Sequence, residues 1–154
     1  MKDEELTLVR KPYLGNELRI DGYYYHMSLN SNTFDDTYCF YRDGTVVWLS
    51  GTPPGVSPFV HMEEVLNYYN GGAPVYKTDF GLFQINDSTI AINHWWPNEG
   101  YLPAYLLEGI ILNDTTFLIN SSTHVKTGEI REGHRVFHFQ AFSPKPDSTN
   151  TYIP

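Results

Sequence analysis

The chain has a single cysteine, Cys39, in 154 residues, so no disulfide can form within it. A fold held by cross-links is thereby excluded, and this length can bury a core without them. Positive charge is also scarce: ten Lys and Arg stand against 18 Asp and Glu, a formal net charge of −8. The basic residues are scattered and form no stripe that would hold a phosphate backbone, so nucleic-acid binding is not expected. No run of about 18 apolar residues is present to cross a membrane as a helix. The opening Met1-Lys2-Asp3-Glu4-Glu5 is charged and no apolar stretch follows it, so no secretory leader is read there. The expected setting is the cytoplasm for the sequence as it stands, and the cell envelope or periplasm if a leader has been removed.

Signatures of catalysis and metal binding are missing too. None of the six histidines falls in a His-Glu-x-x-His pattern, and none lies near a cysteine pair. His134 and His138 would stand about 13 Å apart along a strand. That is too far for both to hold one zinc at about 2 Å each. No Gly-x-Ser-x-Gly elbow and no glycine-rich loop ahead of a helix is found. The doublets Asp35-Asp36 and Glu63-Glu64 are neighbours whose side chains point apart on a strand or helix. Neither a metal nor a cofactor is expected. Cys39, within an aromatic run, reads as a small buried hydrophobe.

What the sequence has in quantity is aromatic residues, 16% of the chain, with 12 Tyr and 9 Phe. That composition favours strands. A strand is predicted from Leu18 to Met27. Asp43-Gly44, between Thr37–Arg42 and Thr45–Leu49, is a hairpin signal because such turns need positive φ. Two further hairpins turn at Asn86-Asp87-Ser88-Thr89 and Asn113-Asp114-Thr115-Thr116, and a last strand runs from Arg135 to Phe142. Ser57-Pro58 starts a helix over 57–70, with Phe59, Met62, Leu66 and Tyr69 on one face and Gly71-Gly72 as the stop.

Counting outward from each turn predicts register. Ile85 should face Ile90 and Phe83 should face Ile92. Leu112 should face Phe117 and Ile110 should face Ile119. Tyr41 should face Val46 and Cys39 should face Trp48. Each pair is apolar on one sheet face, and a one-residue slip would move the set to the other face. Eight strands with short sequential connections predict an all-β, antiparallel up-and-down barrel or strongly curled meander, with the one short helix inserted. Residues 1–17 read as an arm, 18–142 as the barrel and 143–154 as a tail.

Gly22-Tyr23-Tyr24, Tyr38-x-Phe40-x-x-Asp43-Gly44-Thr45 and the two later hairpins make residues 18–142 resemble the lipocalin-like, or calycin, barrels. The likeness is to their short single-domain bacterial envelope versions. Tyr24 stands where that class carries Trp. The resemblance implies a cup, open at one end, for a small apolar ligand.

The alternation places Ile20, Tyr24, Cys39, Tyr41, Val46 and Trp48 inward on the early strands. Phe83, Ile85, Ile90, Ile92, Ile110, Leu112, Phe117 and Ile119 follow on the later ones. So bulky a set leaves both a filled barrel and a ligand cup open. His26 and His94 fall on the same side at strand ends, and Trp95-Trp96 follows His94. The candidate ligand contacts are therefore Tyr24, His26, Tyr41, Trp48, Phe83, His94, Trp95 and Trp96.

Three functions compete. The leading one is non-enzymatic binding of a small apolar or amphipathic ligand. The second is a structural or protein-interaction domain of a bacterial cell envelope, with a filled barrel and a partner at Trp95-Trp96 or on the 57–70 helix. The third is a small enzyme built from residues distant in sequence.

Overall fold

The computed structural model describes residues 2–154, so Met1, the first residue of the expected arm, lies outside it. Eight antiparallel strands close into an up-and-down barrel in chain order. They are β1 (Gly22–Met27), β2 (Phe34–Phe40), β3 (Thr45–Ser50), β4 (Phe80–Asn86), β5 (Thr89–Trp95), β6 (Ala104–Asn113), β7 (Thr116–His124) and β8 (Ile130–Ala141). One α-helix, α1 (Pro58–Asn70), and a single 3₁₀ turn, Lys77–Asp79, separate β3 from β4. The barrel closes where β1 meets β8, with Tyr24 opposite Phe139.

The β4–β5 register is the predicted one, Ile85 against Ile90 and Phe83 against Ile92. The other two hairpins are shifted by one residue. Phe40 faces Val46 and Tyr38 faces Trp48. The cause is the turn, which spans three residues instead of two. Gly44 N–H bonds to Tyr41 O at 3.1 Å, Tyr41 N–H bonds to Thr45 O at 3.0 Å, and Gly44 has φ +90°. That is a type I turn closed by a left-handed glycine. It turns Tyr38 and Phe40 inward and leaves Cys39 and Tyr41 on the outer face. In β6–β7, Ile111 faces Phe117, and Leu112 is the extra residue of a bulge just before the turn. Ile111 packs against the interior, whereas Ile110 and Leu112 are exposed.

Two apolar layers result. Inside, Tyr24 packs on Phe40, Phe117 and Phe139 at ring distances of 5.2–5.6 Å. Phe117 and Phe137 stack in parallel at 4.8 Å. Outside, α1 lies against the barrel wall and not across its mouth. Ser57 caps its start by accepting from Val60 N–H, and Pro58 needs no partner there. Met62 and Leu66 are buried, each contributing about 1.5–3 kcal/mol by leaving water. Phe59 meets Tyr25 and Phe34 edge-on at 5.0 Å.

The hairpin end of the barrel is sealed by residues ahead of β1, which starts at Gly22 and not at Leu18. Tyr13 and Leu18 are buried in the interior core. Tyr13 N–H bonds to Arg42 O and Arg19 N–H to Asp114 O, tying this segment across two turns. Further upstream, Thr7 and Leu8 both donate to the Asn93 side chain, at 2.7 and 2.9 Å. The tail runs back over the outer wall, where Lys145 Nζ donates to Ile20 O and Phe40 O. At the opposite end β8 begins at Ile130, earlier than the predicted Arg135, and its extra residues raise one side of the open mouth.

Candidate functional site

Alternation along strands with this register brings a mixed set of side chains to the open end. From β2 come Asp36 and Tyr38, from β5 His94, from β6 Tyr105 and Leu107, and from β8 Arg135. They surround a cavity of about 450 Å³, with Ile119, Ser121 and Ser122 of β7 and Trp96 completing the wall. Below it the Phe117/Phe137 pair and its neighbours leave the rest of the barrel filled. The interior is thus both filled and open, at different heights.

The polar groups at the cavity are paired with one another. Asp36 is buried, and its Oδ1 accepts from Trp48 Nε1–H at 2.8 Å. Its Oδ2 accepts from Arg135 Nη1–H. Tyr38 Oη lies 3.1 Å from His94 Nε2, and His94 Nδ1 lies 2.9 Å from Trp95 O. A carbonyl only accepts, so Nδ1 carries the proton and Tyr38 donates to the bare Nε2. Burial holds the His94 pKa down and the imidazole neutral. Burial also pushes the Tyr38 phenol well up, so it keeps its proton. His94 stacks on Trp48 at 4.8 Å, and Trp96 packs on the same indole at 4.9 Å, tilted by 37°.

Of the eight sequence candidates, His94 and Trp96 line the cavity, and Trp48 lies behind them, packed on both rings. His26 lies at the rim, with Nδ1 2.7 Å from Asp35 Oδ1 and its ring 5.7 Å from Phe137. Tyr24 and Phe83 are buried in the filled part, where Tyr24 O–H donates to Arg19 O and Asp114 O. Tyr41 sits outside under the tail and donates to Pro146 O. Trp95 also faces outward, buried beneath the arm, with its N–H on Glu4 O and Lys77 Nζ 4.5 Å above its ring.

Asp36, Tyr38, Tyr105 and Arg135 were not among the candidates. Arg135 alternates with Phe137 and Phe139, a signal that β8 carries an arginine on its inner face. Asp36 alternates with Tyr38 and Phe40, and the wrong turn length hid that alternation. Among the described residues, no three His, Cys, Asp or Glu converge as metal ligands would.

No family model, curated protein or solved structure matches this chain. The closed eight-stranded barrel with one short helix is consistent with a lipocalin-like fold.

Proposed function

We propose that the protein binds one small amphipathic molecule at the open end of its barrel and performs no chemistry on it, in the manner of the lipocalin-like proteins it resembles. The observation that carries this reading is the 450 Å³ cavity above a sealed floor. Its size falls in the small-molecule range, and its lining combines apolar walls with a few convergent polar groups. Leu107, Ile119 and the aromatic rings supply the apolar wall, and Arg135, Ser121 and Ser122 supply polar contacts. The Tyr38–His94 pair favours binding over proton transfer, because the imidazole lone pair is already engaged.

The protein-interaction reading is weaker at Trp95-Trp96, because Trp95 is buried and Trp96 lies half-exposed over the cavity; on the helix, Val60 and Tyr68 are exposed.

Titration with the uncharged dye Nile red tests the proposal. Its fluorescence should saturate at one equivalent, and Ser122→Trp, which fills the cavity from a partly exposed wall position, should abolish the signal. Equal binding by wild type and variant, or none by wild type, would overturn it.

A further inference from the structure

Resting on the cup reading above, we propose that the occupant is a compact, uncharged, planar aromatic molecule with a hydrogen-bond acceptor at one edge. Three features of the lining lead there.

Arg135 sets the acceptor. A guanidinium has five N–H donors, and Arg135 uses one of them, on Asp36. Among the described residues, no other acceptor lies within hydrogen-bond distance of it. Its side chain is 31% exposed and lines the cavity, so the free donors are available to an incoming group.

Charge balance sets the neutrality of that group. Asp36 already compensates Arg135, and the other charged wall residues, Arg131 and Glu132, are one of each sign. Glu129, 3.6 Å from Arg131, and the His26–Asp35 pair at the rim add no net positive charge. A carboxylate would therefore approach the guanidinium against the Asp36 carboxylate, in a protein of formal charge −8. A carbonyl or amide oxygen meets the same donors without that repulsion.

The walls set the shape. Trp96, Tyr38 and Tyr105 line the cavity, with Trp96 held by tilted packing on Trp48 and Tyr105 by stacking on His124. Aromatic faces reward a flat partner. Below Tyr38, Leu107 and Ile119 the interior is filled by buried Phe117 and Phe137, which favours a compact occupant over a long alkyl chain reaching down the barrel.

Isothermal titration with four matched compounds tests this. 2-Naphthamide has the flat body and the neutral acceptor; 2-naphthoate changes only the charge, naphthalene removes the acceptor, and decanamide replaces the ring with a chain. 2-Naphthamide should bind at least tenfold more tightly than each of the others. In the double variant Asp36→Leu/Arg135→Met, which removes both charges together, 2-naphthamide should weaken tenfold while the far-ultraviolet circular dichroism spectrum stays unchanged, showing that the barrel persists. Binding with any smaller margin overturns the inference and leaves the cup reading standing. Failure of all four compounds to bind overturns the cup reading as well.

Discussion

The Tyr38 hydroxyl donates to His94 Nε2 across the barrel interior, 3.1 Å away, and both groups are buried. Tyr38→Phe would leave that buried nitrogen without its donor. The expected loss is about 1–3 kcal/mol, the desolvation penalty of an orphaned acceptor. Urea unfolding at pH 7.5 measures it, and a change within error would mean water replaces the hydroxyl.

The same histidine gives the protein a pH dependence of definite sign. Its folded pKa is lowered by burial, so below the unfolded value of about 6.5 the unfolded chain takes up a proton that the folded one refuses. Its contribution is complete above that pH and declines as pH falls below it. Between pH 7.5 and 5.5 wild type should lose more stability than His94→Gln, as read from paired urea curves. Parallel curves would remove His94 as the source.

Asp36 and Arg135 form a pair that is buried on the acid side and one-third exposed on the basic side. Asp36→Ala should destabilise by about 3 kcal/mol, the lower end of the range for breaking such pairs, because solvent still reaches the guanidinium. Asp36→Leu combined with Arg135→Met should recover part of that loss, the remainder being the Trp48 N–H left without its acceptor. A double variant less stable than Asp36→Ala would show that the pair contributes more than mutual neutralisation.

Gly44 fixes which face of β2 turns inward. An added Cβ would fall 2.3 Å from Lys11 O, and φ is +90°. Gly44→Ala should therefore lower stability by about 1–3 kcal/mol. Gly55, with φ +84° and open space around it, is the control, and Gly55→Ala should carry the φ strain without the steric conflict. Thermal melts of both variants rank them, and equal losses would leave the Lys11 contact without effect.

Cys39 is buried on the outer face and its thiol is pushed up to about 12 by desolvation. Ellman's reagent should find no reactive thiol in the native protein and one after urea unfolding. Prompt labelling of the folded chain would show that the layer beneath the tail opens readily.

The eight strands, the helix and one of three registers followed from periodicity and turn chemistry. The β4–β5 connection was read correctly because Asn86 and Thr89 close a tight loop around Asp87-Ser88. Asp43-Gly44 carries the same kind of signal, yet Arg42 joins that turn, and a one-residue change in loop length exchanges Cys39 and Tyr41 for Tyr38 and Phe40. The bulge at Leu112 likewise has no local marker, since an apolar residue there suits either face. Most of the cavity wall is not legible in the sequence, in part for a related reason. Asp36 and Arg135 are charged residues on an inner face, tolerated because each compensates the other. That pairing lies across strands far apart in the chain, where a linear pattern cannot show it.

The seam between β1 and β8 has a further consequence. β1 pairs with β2 on one side, but its partner on the other is the last strand of the barrel, so Tyr24 and Phe139 can meet only once β8 has been made. Until then both edges of the growing sheet stay unpaired, and the loop that must be closed holds every other strand of the barrel. Folding is therefore expected to be slow, with the incomplete barrel the species most exposed to aggregation.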